Sequence, residues 1–157
     1  MIVKSFNDVP SEDTFFLFKE LQDSGAFGAI QHKSISPFVC HDVLEALRQA
    51  NRLRGCGVYT RTGKLVGVYI CALSNRWYDP SELILNEMVV QVHPAFKSMG
   101  VFSLMQGYID QLCVEQNISV LSTGNEVMPN DAAYTRLMKR KGFEPRTVYI
   151  KNFKEST

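Results

Sequence analysis

A chain of 157 residues with a formal net charge of +1 is long enough for one domain around one core, and its charge gives no grounds for wholesale nucleic-acid binding. With 45% hydrophobic and 21% charged residues it is not a disordered chain, and its apolar runs are too short to cross a bilayer. The opening Met1-Ile2-Val3-Lys4-Ser5-Phe6 lacks the long apolar stretch of a signal peptide, so the expectation is a cytoplasmic protein with no membrane partner.

Met1–Phe6 alternates and reads as a short first strand. Ser11-Glu12-Asp13-Thr14 starts a helix, with Ser11 as its cap and the acids at the positive end of the dipole. Phe15, Phe18 and Leu21, with Leu17 beside them, recur at helical spacing, and Gly25 is the stop. Gly25 to Ile35 is a loop. Ser36-Pro37 pairs a cap with Pro at the first helical position, and the second helix runs to about Ala50 with Val43, Leu44 and Leu47 inward.

Strands follow. Gly57–Thr60 and Leu65–Leu73 flank Thr62-Gly63, a tight hairpin signal. Ser74 to Glu82, with Pro80, reads as a loop. Leu83 to Val92 is nearly continuous in apolar residues and belongs in mid-sheet. A third helix from Gly100 to Glu115 gathers Val101, Met105, Tyr108 and Leu112 on one face, widened by Leu104, Ile109 and Cys113. Ile118–Leu121 reads as a buried strand. Met128-Pro129-Asn130-Asp131 leads into a fourth helix that ends at Lys139-Arg140-Lys141-Gly142, cations and a Gly where the dipole and the C-cap favour them. Thr147–Phe153 closes as a last strand. The order is βααβββαβαβ, an α/β fold with an antiparallel first half and a β-α-β crossover.

Several conspicuous residues have ordinary readings. Cys40, Cys56, Cys71 and Cys113 have no metal-ligand spacing and sit in apolar contexts, as buried reduced thiols do. His32, His41 and His93 are separated and lack clustered acids, so no metal site is expected, and His93 before Pro94 reads as a solvated turn residue. Trp77-Tyr78 reads either as a surface anchor or as a loop folded back on the sheet. Asn125 falls where two strands would splay, and the basic run 139–141 is a solvated helix end.

The stretch Val92-His93-Pro94-Ala95-Phe96-Lys97-Ser98-Met99-Gly100 carries the chemistry. A strand that feeds a helix through a short turn aims the helix's free N–H groups back at the strand's end, which reads either as an anion seat or as an ordinary structural corner. Gly100 lets a ligand approach the backbone, and Lys97 adds a positive charge.

The pattern Val-x-Val-x-Pro-x-x-Lys-x-x-Gly-x-Phe from Val90 to Phe102 resembles motif A of the GNAT superfamily, the acyl-CoA-dependent N-acyltransferases. Asn130-Asp131-Ala132-Ala133 and Lys141-Gly142-Phe143 echo that family's second signature, and the element order fits across nearly the whole chain, taken as one domain, 1–157. The resemblance implies a mixed, twisted central sheet with flanking helices and a shortened C-terminus. It implies acetyl-CoA as cosubstrate and an amine of a small molecule or protein as acceptor. CoA would lie along Val90, Gln91 and Val92, with its pyrophosphate over Lys97, Ser98, Met99, Gly100, Val101 and Phe102, and Asn130 would lie beside it.

Transfer from a thioester needs a neutral amine, so a nearby base helps, and the departing thiolate benefits from a proton donor. Glu87, on the strand entering motif A, resembles the general-base Glu of several family members; the other reading is an exposed strand Glu. Tyr134 is the nearest phenol to Met138, which occupies the family's Tyr position; the other reading is a core Tyr. Tyr149 is a more distant candidate. Phe102 stands where the family prefers a small residue, and either packs inward or crowds CoA. The residues after Phe143 leave room for one strand where the family has two. An unpaired final strand favours a homodimer. The competing reading of the whole is a GNAT-fold binding module without catalysis.

Overall fold

The computed structural model describes residues 1–25, 37–123, 132–146, 151 and 153, with backbone alone at 37–40, 133 and 134. The described elements in chain order are β1 (Ile2–Ser5), α1 (Ser11–Asp23), α2 (Pro37–Gln49), β2 (Leu53–Tyr59), β3 (Leu65–Arg76), β4 (Asp79–Val92), α3 (Val101–Glu115), β5 (Val120–Ser122) and α4 (Ala132–Arg140).

Period-two alternation in β3 sets the layers. Val68 and Ile70 enter one core, with Leu17, Phe18 and Leu21 of α1 and Leu44 of α2. Tyr69 and Cys71 enter a second core, with Val101, Met105, Ile109 and Leu112 of α3. The sheet therefore separates α1 and α2 from α3. Its order is β1-β2-β3-β4-β5. The first four strands are antiparallel, and β4 and β5 are parallel across the α3 crossover. This is the expected mixed α/β sheet, with β4 in mid-sheet between β3 and β5.

Two features hold α3 in place. An added Cβ at Gly67 would come within 2.6 Å of Val101 Cγ1 and 3.2 Å of Met105 Sδ, so only Gly lets the first turn of α3 lie this close to β3. Leu104 N–H donates to the Gly100 carbonyl (3.1 Å), which starts the helix. On the opposite face, Tyr59 Oη donates to Asp13 Oδ2 (2.7 Å) and ties α1 to β2.

Several expectations are corrected. Ser74–Glu82 is not a loop: β3 continues to Arg76, turns through Trp77 and Tyr78, and β4 begins at Asp79. Pro80 is accommodated there because β5 pairs with β4 only from Ile84 to Asn86, which leaves β4 without a second neighbour at Pro80. β2 begins at Leu53, ahead of the glycines that hide it in the sequence. The α1 N-cap is Pro10, whose carbonyl accepts from Asp13 N–H (3.1 Å); Ser11 is already in the first turn and its side chain caps nothing. Val43 is 46% exposed and Leu104 43%, since each sits at the edge of its helix's apolar face. β5 is Val120–Ser122, and its pattern is exposed, half-buried, exposed, so it is not a buried strand. The start of the fourth helix before Ala132 and the final strand 147–153 fall outside the described residues, apart from Lys151 and Phe153.

Candidate functional site

β4 is not uniform. Its parallel ladder with β5 pairs Ile84 with Val120, Leu85 with Leu121 and Asn86 with Ser122. One residue further on, the antiparallel ladder with β3 shifts register: Cys71 pairs with Glu87 and Ile70 with Val89, so Met88 falls between two pairs. Such a bulge bends a strand and re-aims its side chains, which is common beside active sites. Beyond it, Val90, Gln91 and Val92 pair with Tyr69, Val68 and Gly67. Val90 is buried, while Gln91 and Val92 are half-buried. At about 3.4 Å per residue, Glu87 lies about 17 Å from the end of the strand, the span of an extended ligand.

The chain then enters a sequence of tight turns. His93 N–H donates to the Val66 carbonyl (2.7 Å), Phe96 N–H to the His93 carbonyl (2.8 Å) and Met99 N–H to the Phe96 carbonyl (3.1 Å). Pro94–Phe96 is a single 3₁₀ turn. Gly100, at φ 74° and ψ 13°, is the left-handed N-cap of α3, and no side chain caps the helix. Gly adopts that conformation at no steric cost, whereas most side chains are strained in it. An added Cβ at Gly100 would meet nothing within 4 Å, so the space above the turn is open.

Among the described residues, the amides of Gly100, Val101, Phe102 and Ser103 donate to no backbone carbonyl. They are the open donors of a helix start, and the dipole adds to their field. Lys97, Ser98 and Met99 are exposed around them. A pyrophosphate fits this arrangement chemically: convergent N–H donors, open space over a glycine and a nearby ammonium. Phe102 is half-buried and packs against the core under α3, so its ring turns inward.

Glu87 is half-buried at the point where the ladder with β5 ends, and Thr123 Oγ1, just past β5, donates to Glu87 Oε2. Its ladder partner Cys71 is buried. Burial foremost, and then the Glu87 charge, push that thiol far above its ordinary range. Burial also pushes Cys56 up to about 12. Cys113 is raised by burial and then by Asp110. All three are free, and as neutral thiols they are inert walls. Among the described residues there is no group of three or more His, Cys, Asp or Glu that could hold a metal ion, and no helix is long and apolar enough to cross a membrane.

The turn Lys97–Phe102 is thus joined to Val90–Val92 and Glu87 along one strand. Tyr134 is on α4, but its side chain is outside the described residues, as are Asn125, Asn130 and Tyr149. Met138 is buried at 6% exposure, so it is a core residue of α4. Two residues escaped the sequence reading. Thr123 lies 36 positions from its partner Glu87 and carries no local signal. His93 is not a solvated turn residue: its Nδ1 accepts from Ala95 N–H (3.2 Å) and its Nε2 lies 3.1 Å from Glu20 Oε2 of α1. His followed by Pro at a strand end was the available hint, since it places an acceptor at the start of a 3₁₀ turn.

No family model matches the sequence, and no curated protein matches it. Solved structures do. Glucosamine-6-phosphate N-acetyltransferase from Arabidopsis thaliana superposes with a TM-score of 0.71 at 11% identity, over 99% of this chain and 100% of that one. A possible acetyltransferase from Clostridium difficile gives 0.71 at 15%, over 99% of both chains. AAC(6')-Iy, solved with the bisubstrate analogue CoA-S-monomethyl-acetylneamine, gives 0.69 at 15%, over 96% of this chain and 97% of that one.

Proposed function

We propose that this chain, which has the fold of the GNAT acetyltransferases, is a cytoplasmic, single-domain N-acyltransferase that takes an acetyl group from acetyl-CoA to an amine of a small molecule or protein. The observation that carries the reading is the left-handed Gly100 that follows a bulged central strand: its own amide and the three after it donate to no backbone carbonyl. A helix start of this kind, left open and uncapped, favours an anionic ligand.

Acetyl-CoA supplies the acyl group as an activated thioester. The chain's own residues do the rest. The amides of Gly100 to Ser103, with Lys97, hold the pyrophosphate. Val90, Gln91 and Val92 give the pantetheine a strand to lie along, and Asn130 completes the seat. The bulge at Met88 turns the β4 backbone towards the reacting carbonyl, where an amide stabilises developing negative charge. Glu87, at the mouth between β4 and β5, takes the proton from the attacking amine, directly or through a water. Tyr134 returns a proton to the thiolate.

One observation favours a second reading, a binding module that keeps the cofactor seat without catalysis. Met138, at the position where the resembled family places its phenol, is buried in the core and offers no proton. Calorimetry with acetyl-CoA and with desulfo-CoA, followed by an acetyl-transfer assay on a panel of amines, separates the two. Binding with turnover supports the enzyme. Binding without turnover on any amine supports the module. No binding at millimolar ligand ends both. We also propose a homodimer formed through the C-terminal segment 147–153, so light scattering should give twice the monomer mass; a monomer at tens of micromolar rules it out.

A further inference from the structure

His93 joins three parts of the fold. Its backbone N–H binds the Val66 carbonyl of β3, at the bulge where Val58 and Tyr59 pair with Gly67 and Leu65. Its ring faces Phe96 edge-on, with centroids 5.7 Å apart. Nδ1 accepts from Ala95 N–H (3.2 Å), so in the neutral imidazole the proton is on Nε2, which points at Glu20 Oε2 (3.1 Å). The same carboxylate oxygen lies 3.2 Å from Lys64 Nζ in the β2–β3 turn. Among the described residues, the charged groups facing the ring are thus Glu20 of α1 and, across it, Lys64.

From this geometry we infer that His93 is a positioning residue for the anion turn: it pins the Pro94–Phe96 turn through Ala95 N–H and thereby orients the Gly100–Ser103 amides towards the ligand. The coupling runs through consecutive short turns. Ala95 is the middle residue of the 3₁₀ turn, Phe96 accepts from Met99, and Gly100 follows directly. The inference rests on the proposed CoA seat and adds a residue that touches no ligand.

The test measures CoA dissociation constants by calorimetry for the wild type and three variants, with melting temperatures on the same samples. Asn places its oxygen near the position of Nδ1 and is a strong cap, and Gln places its amide nitrogen near Nε2. His93→Ala should weaken CoA binding about tenfold, the worth of one to two hydrogen bonds. His93→Asn should restore most of that affinity, and His93→Gln should not. Equal affinities across folded variants, or rescue by His93→Gln as complete as by His93→Asn, overturn the inference while leaving the CoA seat standing. If the wild type binds no CoA, the seat and the inference fall together.

Discussion

At its N-terminal end β4 meets β3 through Trp77 and Tyr78, which are 90% and 61% exposed and packed edge-to-face at 5.2 Å. At its C-terminal end it runs into His93–Gly100, whose side chains are mostly small or unremarkable. The aromatic end catches the eye in the sequence, yet its backbone closes an antiparallel hairpin, with a register shift between Asn75 and Arg76 and with Arg76 against the Tyr78 ring and paired with Glu82. The plain end has the left-handed residue and the open amides. A backbone that leaves donors unused, in a setting where nearly all are paired, says more about a ligand than an exposed ring does.

The comparison breaks most readily at Gly100. Gly100→Val puts a β-branched residue at φ 74°, which costs roughly 1–3 kcal/mol and drives the turn to another conformation. CoA binding should be lost in calorimetry, while circular dichroism still reports a folded chain. Wild-type affinity in this variant would mean that CoA binds elsewhere.

Glu87→Gln sharpens the comparison along the strand, because it tests chemistry without touching the seat. Turnover should fall roughly 10²–10⁴-fold with the CoA dissociation constant unchanged. The wild-type rate should drop as acid protonates the carboxylate, and the variant should lack that limb. Identical pH–rate profiles would return Glu87 to the role of a strand residue held by Thr123.

Lys97→Ala is a milder change to the same end. Affinity should weaken about tenfold, and the gap should shrink as salt screens the exposed ammonium. A salt-independent difference would point to packing instead of charge. The smallest effect belongs to the other end of β4. Trp77→Ala should leave CoA affinity within about twofold and stability within about 0.5 kcal/mol, as for other exposed sites. A large loss of affinity there would invert the comparison.

Side-chain pattern made most elements legible. Helical spacing located α1, α2 and α3, and the apolar continuity of Leu83–Val92 put β4 in mid-sheet between β3 and β5. Thr62-Gly63 marked the hairpin, and Gly63 does take a positive φ of 86°. The misses share a cause. Ser74–Glu82 has the composition of a loop, but cross-strand pairing with β3 overrides local propensity. Gly55 and Gly57 hid the start of β2 for the same reason. The anion turn was legible because Pro and Gly act on their own backbone.

What the sequence determined by itself, then, is whatever a residue imposes on its neighbours: helix periods, turn glycines, and the strand–Pro–Gly–helix order that resembles a CoA seat. The tertiary structure decided what depends on partners far along the chain. It placed the bulge at Met88 against β3, because register is a property of two strands. It brought Thr123 to Glu87 across 36 positions. It gave His93 a carboxylate from α1, turned Phe102 inward and buried Met138. Each of these depends on which surfaces meet in the folded chain, and a local pattern holds no record of that.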